Sequence, residues 1–210
     1  MSKKLILIRH GESIWNYENR YTGWANIGLT NLGTYQANNA AKILKTYNIV
    51  PQIAFTSQLK RSIDTNKIIL NNLELKIPIY HTWRLNEKHY GKITGYNRDE
   101  FKWKGNFFEI PPIIKEKENN KIIKNLEYNP NFGESYYMTY LRMVPFANLI
   151  LNYNQNILIC AHKNSLKVLI KYIENLDNDK TQHLDIPNSV PIIYTFDNNL
   201  KLKDKLILGI

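Results

Sequence analysis

Two kinds of hydrophobic pattern alternate along the chain. Short apolar runs such as Leu5–Ile8 lack the 3.6-residue period of a helix and end at polar residues, which is typical of buried β-strands. Longer segments carry apolar residues three or four positions apart, which predicts amphipathic helices that cover those strands. The predicted strands are Leu5–Ile8, Ile53–Thr56, Pro78–Tyr80, Asn156–Ala161, Val190–Phe196 and Leu202–Leu208.

The predicted helices fill the gaps between these strands. Thr30 carries the hydroxyl of an N-cap for the first of them. The inward face of that helix is predicted to hold Leu32, Ala40, Ile43, Leu44 and Tyr47. The helices are predicted at Asn31–Tyr47, Leu59–Leu70, Ser135–Tyr153 and Ser165–Asn175.

Strand–helix alternation of this kind predicts an α/β fold with a mostly parallel sheet covered on both faces. The segment from Lys92 to Phe132 is less regular, because Pro111-Pro112, Asn119-Asn120 and Asn129-Pro130 interrupt it. We therefore expect a single domain over residues 1–210, with an inserted irregular lobe at about residues 92–132.

Composition narrows the class of protein. Of the 210 residues, 43% are apolar and 22% charged, as in ordinary globular proteins. No run of eighteen apolar residues occurs, so no membrane span is expected. Cys160 is the single cysteine, which excludes an internal disulfide and predicts a buried structural thiol in a reducing compartment. We expect the cytoplasm.

The formal net charge of +10 fits either nucleic acid or an anionic small molecule as a partner. The basic residues run from Lys3 to Lys205 and do not cluster in a stripe or a tail. Most of this charge is therefore interpreted as a solvated, lysine-rich surface. No nucleic acid or membrane partner is expected.

Candidate chemistry follows the ends of the predicted strands. Arg9-His10 follows the first strand, and Arg61 opens the helix after the second. Glu87 follows the third strand, and His162 stands at the end of the apolar stretch Ile157 to His162. Each residue alone could have a purely structural role. In such sheets, however, functional sites lie at the carboxyl ends of the strands. Four such strand ends together predict one site.

Two imidazoles, two guanidinium groups and a carboxylate suit phosphoryl transfer through a phosphohistidine. A neutral imidazole nitrogen is a competent nucleophile near neutral pH. Guanidinium groups and a second imidazole stabilise the negative charge of the transferring group without a metal ion. A carboxylic acid beside the phosphate can give and take the proton of the substrate oxygen. No metal-binding motif is recognised in the sequence, and no metal is expected.

Several stretches carry a resemblance to a known family. "LIRHGESIWN", "YTGW" (Tyr21 to Trp24), "TSQLKRSIDT", "RLNEKHYGKITGYN" and "AHKNSLKVLIKYI" resemble the cofactor-dependent phosphoglycerate mutases of the histidine phosphatase superfamily. The resemblance runs from Lys4 to about Leu208. It implies a three-layer α/β/α sandwich, which agrees with the alternation above. It also implies an isomerase that interconverts 3-phosphoglycerate and 2-phosphoglycerate and is primed by 2,3-bisphosphoglycerate.

The resemblance also implies the roles of individual residues. His10 would be phosphorylated, Glu87 would be the proton donor, and His162 would stabilise the transition state beside Arg9 and Arg61. The further substrate-binding residues that it implies are Gly11, Glu12, Ser13, Asn16, Thr22, Gly23, Lys88, His89, Tyr90, Arg98, Lys104, Gly105, Lys163 and Asn164.

Some positions depart from the family pattern. Lys88 stands where the pattern has arginine and Arg98 where it has lysine, which keeps the charge but changes the geometry. Lys104-Gly105 replace a pair of arginines, and Lys163 replaces a glycine after the second histidine. The chain also stops at Ile210, before the tail that many members fold over the site. A more open site would admit water.

Three functional hypotheses from different classes follow. The main one is the mutase. The alternative is a histidine-type phosphatase that hydrolyses phosphate monoesters, which Lys163 and the short tail favour. A non-enzymatic nucleic-acid binder is suggested only by the charge. Small-molecule phosphoglycerates are the expected partners, and a homo-oligomer is an open possibility.

Overall fold

A six-stranded sheet forms the centre of the molecule. The computed structural model describes residues 3–113 and 133–209. Within these residues the strand order across the sheet is β3-β2-β4-β1-β5-β6. The strands are β1 (Lys3–Arg9), β2 (Ile53–Thr56), β3 (Ile79–His81), β4 (Ile157–Ala161), β5 (Ile192–Phe196) and β6 (Leu202–Ile207).

Helices connect and cover these strands. Short 3₁₀ turns at Trp83–Leu85 and Gly91–Ile93 bracket the segment that follows β3. The α-helices of the described residues are α1 (Ile14–Tyr17), α2 (Asn31–Thr46), α3 (Lys60–Asn72), α4 (Tyr136–Leu151), α5 (Lys163–Glu174) and α6 (Asn178–His183).

Strands β1 to β4 run parallel to one another. At one edge of the sheet, β5 pairs antiparallel with β1, and β6 pairs antiparallel with β5. The parallel register sets Arg9 opposite Ala161 and Thr56 opposite Cys160. The residues that follow β1, β2 and β4 therefore leave the sheet side by side. This register brings distant parts of the sequence to one edge.

Two hydrophobic cores lie on opposite faces of the sheet, because successive side chains of a strand point to opposite sides. Leu5 and Leu7 belong to a cluster with α4 and α5, and Ile6 and Ile8 to one with α2 and α3. These four side chains of β1 are fully buried. The three-layer α/β/α architecture expected from the resemblance is confirmed.

The predicted inward face of α2 is partly wrong. Leu32 and Tyr47 are 50% and 58% exposed, whereas Gly33 and Ala37 are buried. The helix approaches the loop after β1 so closely that a Cβ on Gly33 would lie 2.0 Å from the Glu12 carbonyl oxygen. Small residues therefore form the contact, and the larger apolar residues at its ends remain outside.

Most predicted elements are present with ends shifted by one or two residues. Helix α5 begins at Lys163 rather than Ser165, directly after its N-cap residue His162. Helices α1 and α6 were not expected, and Ser13 and Asp177 cap them through side-chain oxygens. Thr30 and Ser135 cap α2 and α4, Thr30 as predicted. Of the irregular lobe predicted at residues 92–132, residues 114–132 lie outside the described residues.

No helix in the described part of the chain is long and apolar enough to span a membrane.

Candidate active site

Two histidines from distant parts of the sequence meet at the carboxyl edge of the sheet. His10 follows β1 and His162 follows β4, and the His10 N–H donates to the Ala161 carbonyl at 2.9 Å. Their ring centroids are 4.9 Å apart, with an interplanar angle of 61°. Both side chains are almost fully buried. The convergence expected from the four strand ends is therefore observed for the two imidazoles.

The surroundings of His10 determine which of its nitrogens carries the proton. Nδ1 lies 2.7 Å from the Gly11 carbonyl oxygen, which accepts only if Nδ1 bears hydrogen. Nε2 lies 3.3 Å from Arg61 Nε, which donates to its lone pair. Burial first, and the charges of Arg61 and Arg9 next, hold the pKa of His10 well below its usual value. At neutral pH His10 is therefore an uncharged imidazole whose lone pair lies on Nε2, where Arg61 Nε donates to it.

Two arginines surround this nitrogen. Arg61 is buried at the start of α3 and donates from Nη1 and Nη2 to the carbonyls of Ala25 and Gly23, both at 2.8 Å. Burial lowers its pKa to about 10, so the guanidinium stays charged at neutral pH. Arg9 donates from Nη1 to the Ile186 carbonyl at 2.9 Å, and its Nε has no partner among the described residues. That unpaired donor is available to an anion.

Glu87 lies at the N-terminus of α5. Its Oε1 accepts the N–H groups of Lys88 at 2.7 Å and Asn164 at 3.2 Å. Asn164 belongs to the first turn of the helix, where backbone N–H groups point outward and favour a carboxylate. Because α5 begins at Lys163 rather than at Ser165, the Asn164 N–H lies in its first turn and binds the carboxyl group of Glu87.

A basic cavity of about 220 Å³ opens over these groups. Its walls carry the cations of Arg9, Arg61, Arg98, Lys163 and Lys167 against the single carboxyl group of Glu87. Such a surplus of positive charge suits a small polyanion. The remaining lining residues are His10, Asn16, Thr22, Gly23, Tyr90, Tyr136 and Asn164.

Comparison with known proteins assigns the chain to a family. The histidine phosphatase superfamily (branch 1) matches residues 5–204. The 2,3-bisphosphoglycerate-dependent phosphoglycerate mutase of Blochmanniella floridana is 39% identical, over 94% of this chain and 94% of the relative. The protein of that name from Buchnera aphidicola subsp. Cinara cedri (strain Cc) is 40% identical, over 95% and 96%. This chain belongs to the phosphoglycerate mutase family of the histidine phosphatases.

Solved structures with low sequence identity share the fold. A putative alpha-ribazole-5'-P phosphatase from Escherichia coli str. K-12 substr. MG1655 aligns with a TM-score of 0.76 at 20% identity, covering 98% of this chain and 94% of that one. YhfR from Bacillus stearothermophilus aligns with a TM-score of 0.74 at 24% identity, covering 93% and 92%. At these identities the likeness supports the fold alone.

A second cavity of about 440 Å³ shares walls with the first and contains Lys88. The Lys88 ammonium lies over the rings of Tyr90, Trp103 and Tyr136, at 5.0, 4.4 and 4.7 Å from their centroids. Burial lowers its pKa to about 8. We call Lys88 and these three rings the lysine cage. Arg98, Lys104 and Gly105, predicted from the family pattern, also line this second cavity.

Four predicted substrate-binding residues do not line either cavity. Gly11 packs against Gly33, where a Cβ on Gly11 would lie 2.2 Å from the Gly33 carbonyl oxygen. Glu12 accepts from the Thr30 hydroxyl at 2.8 Å, and Ser13 caps α1. The buried His89 accepts from the Gly91 N–H at 2.8 Å, and burial lowers its pKa to about 4. These four residues therefore support the surrounding structure and do not line the basic cavity.

The sequence analysis did not single out three residues of the site. Tyr136 donates to the Asn164 side-chain oxygen at 2.7 Å, and Asn164 donates to the Tyr90 hydroxyl at 3.0 Å. Lys167 lies one turn after Lys163 on α5, a spacing of four that could have indicated it. Ser57 bonds to His162. Its position directly after β2 was the available signal.

A buried ion pair holds the segment that carries Glu87. Arg142 on α4 contacts Glu134 through Nε at 2.7 Å and Nη2 at 3.0 Å. The same guanidinium donates to the carbonyls of Asn86 at 2.8 Å and Glu87 at 3.0 Å, and to those of Trp83 and Arg84. Glu134 lies two residues before the start of α4 and is completely buried. It accepts the His89 N–H at 2.9 Å and completes this network.

The prediction that Cys160 is a buried structural thiol is confirmed. Cys160 is buried and free, and burial raises the pKa of its thiol. His81 and His183 are exposed. Trp24 is a buried packing residue that donates to the Glu87 carbonyl at 2.5 Å. Among the described residues, no group of His, Cys, Asp and Glu side chains is arranged to hold a metal ion.

Proposed function

We propose that this enzyme interconverts 3-phosphoglycerate and 2-phosphoglycerate through a phosphohistidine at His10. The observation that carries the proposal is the neutral His10 imidazole, whose Nε2 lone pair lies beside Arg61 while Nδ1 donates to Gly11. The sequence relatives named as 2,3-bisphosphoglycerate-dependent phosphoglycerate mutases support it. The size and positive charge of the cavity suit a three-carbon substrate with two anionic ends.

The reaction requires two phosphoryl transfers at the same nitrogen. In one direction His10 Nε2 accepts the phosphoryl group, a nitrogen–phosphorus bond forms and the phosphorus–oxygen bond to the substrate breaks. Glu87 supplies the proton of the leaving oxygen in this direction. In the reverse transfer, Glu87 takes the proton of the attacking hydroxyl. The carboxyl group is held for this by the N–H groups of Lys88 and Asn164.

Positive groups of the chain balance the charge of the transferring group. Arg9 and Arg61 flank His10, and the unpaired Nε of Arg9 is a donor without a protein acceptor among the described residues. This donor set fits 2,3-bisphosphoglycerate, which supplies the phosphoryl group that primes His10. Arg98 and the lysine cage would hold the end of the substrate that does not react.

A coupled enolase assay on 3-phosphoglycerate, with and without 2,3-bisphosphoglycerate, tests the proposal. We expect product in its presence and a strong dependence on priming. His10→Ala should abolish both turnover and incorporation of labelled phosphate from 2,3-bisphosphoglycerate. His81→Ala, at an exposed histidine outside both cavities, is the matched control and should retain activity. Label that persists in His10→Ala would show that the nucleophile lies elsewhere.

Measuring released phosphate on the same preparation separates transfer from hydrolysis. Lys163 lines the cavity and its ammonium pairs with Asp185 at 2.8 Å, so it adds a cation near the site rather than blocking it. We expect transfer to dominate when phosphoglycerate is present. Phosphate release faster than mutase turnover would favour the phosphatase.

We further propose a cytoplasmic location and small-molecule phosphoglycerates as the partners, which the buried free Cys160 and the basic cavity support. The single domain over residues 1–210 and the oligomeric state stay predictions. Light scattering of the purified protein would determine whether it is a monomer or a homo-oligomer.

A further inference from the structure

The second histidine of the site has a partner that the reaction above does not use. Ser57 is the first residue after β2, and the register of β2 with β4 brings it to the end of β4. Its Oγ lies 2.8 Å from His162 Nε2. Both side chains are completely buried. This contact fixes one edge of the His162 ring.

The hydrogen-bonding capacity of the serine hydroxyl determines the direction of this bond. A hydroxyl has one proton to donate and two lone pairs to accept with. The Leu59 N–H donates to Ser57 Oγ at 3.1 Å, which uses one lone pair. Within residues 3–113 and 133–209, His162 Nε2 is the other group bonded to this oxygen and the acceptor available to its proton. The Ser57 hydroxyl therefore donates to Nε2.

A neutral imidazole that accepts at Nε2 carries its proton on Nδ1. Nδ1 of His162 is buried and has no hydrogen-bond partner among the described residues. A buried N–H without an acceptor is costly, and it persists where a ligand supplies the missing acceptor. The His10 ring that would receive the phosphoryl group lies 4.9 Å away, centroid to centroid.

We propose that Ser57 is a positioning residue that holds His162 in the Nδ1–H tautomer, so that the neutral ring donates a hydrogen bond to the transferring phosphoryl group. This inference rests on the function proposed above. The two histidines then carry the same tautomer and offer opposite groups. His10 bonds through Nδ1 to Gly11 and presents a lone pair, whereas His162 bonds through Nε2 to Ser57 and presents an N–H.

The electrostatic surroundings support an uncharged ring. Burial first, and then the charge of Arg61, hold the pKa of His162 well below its usual value. An imidazolium would carry a proton on Nε2 as well. That proton would point at the Ser57 oxygen, and the serine hydroxyl would lose the acceptor of its own proton. Positive charge for the phosphoryl group comes instead from Arg9 and Arg61.

Long-range ¹H–¹⁵N correlation spectra of protein labelled on its five histidines test the tautomer directly. His162→Asn assigns the signals of this ring. We expect Nδ1 of His162 to be protonated and Nε2 to be unprotonated in the wild-type protein at about pH 7.5, which is well above the lowered pKa of this ring. A proton on Nε2, alone or together with one on Nδ1, would overturn the proposal. This measurement needs no substrate and no folded Ser57 variant.

Kinetics of His10 phosphorylation test the consequence. In Ser57→Ala we expect a loss of the Nδ1–H preference and a fall of about 100-fold in the single-turnover rate, the usual effect of losing one transition-state donor. Substrate affinity should change little, because Ser57 lines neither cavity. Ser57→Thr keeps a hydroxyl and should restore both the tautomer and the rate.

Ser62→Ala is the matched control. Ser62 is also a buried serine, but it bonds to Thr56 and to the Cys160 carbonyl rather than to a histidine. Its variant should retain the tautomer of His162, even if thermal stability falls. A Ser57→Ala protein that phosphorylates within about twofold of the wild-type rate would overturn the proposal, since a lost donor costs far more. A wild-type protein with the expected tautomer and no mutase turnover would reject only the proposed substrate.

Discussion

Burial and neighbouring charge, more than residue type, set the protonation of individual groups in this site. His10 and His162 have pKa values held well below the ordinary one, so both are neutral at pH 7. Lys88 and Lys167 have pKa values lowered to about 8. These lysines are still mostly charged at pH 7, but the loss of charge lies within the working range of an assay. Arginine at the same positions would not titrate there.

The two lysines give the first prediction. As pH rises through 8, Lys88 and Lys167 lose their charge and the free enzyme loses cations that face an anionic substrate. We expect kcat/KM, which reports the free enzyme, to fall above about pH 8 with KM rising. In the double variant Lys88→Arg/Lys167→Arg this fall should disappear. A profile that still falls at the same pH in the double variant would assign the titration to another group.

At the scale of secondary-structure elements, two helices position Glu87, the proposed proton donor. The first turn of α5 offers the Asn164 N–H to the Glu87 carboxyl group. Helix α4 holds the backbone of the same segment through Arg142, which binds the Asn86 and Glu87 carbonyls while paired with Glu134. The segment is thus held by its backbone as well as by its functional side chain.

Breaking this pair gives the second prediction. Arg142→Ala leaves the buried Glu134 carboxylate and several carbonyls without their donor, which costs about 3–5 kcal/mol of unfolding free energy. Urea denaturation followed by circular dichroism measures the loss. Turnover of the folded fraction should also fall, because Glu87 loses its backbone support.

Lys60→Ala is the control for this experiment. Lys60 forms an exposed pair with Asp64 at 3.1 Å on α3, and such pairs contribute less than about 1 kcal/mol. If Arg142→Ala proved as mild as Lys60→Ala, the network around Glu134 would have no structural role.

At the scale of the whole molecule, the formal charge of +10 is spread over the chain, but the two adjoining cavities gather cations that face inward. Guanidinium and ammonium groups supply there the positive charge that a divalent ion provides in many phosphoryl-transfer enzymes.

The third prediction follows from this arrangement. Treatment with a chelator such as EDTA should leave turnover unchanged, whereas withholding 2,3-bisphosphoglycerate should slow it markedly. The interconversion is best followed by ³¹P NMR rather than through a coupling enzyme, so that the chelator acts on this protein alone. Activity that is lost with EDTA and restored by a divalent ion would contradict the arginine-based stabilisation.

Much of the architecture could be predicted from periodicity, because a buried strand and an amphipathic helix each impose a spacing on their own residues. The end residues of α2 could not. Leu32 and Tyr47 fit the helical pattern, but Gly33 and Ala37 make the close contact because the backbone near Glu12 leaves no room for larger side chains. That restriction comes from a segment about twenty residues away in sequence. The hydrophobic periodicity of the helix contains no information about it.

The sequence by itself determined the strand–helix order and which residue types stand at the strand ends, since both depend on local spacing. His10 bonds through Nδ1 to its neighbour in the sequence, Gly11, but only the tertiary structure brought Ser57 to Nε2 of His162, through the register of β2 with β4. Only the tertiary structure placed Lys88 among three aromatic rings and joined Arg142 to the backbone of Glu87. The tautomer of His162, the lowered pKa values and the buried Arg142–Glu134 pair depend on the distances between groups that come together only in the folded protein.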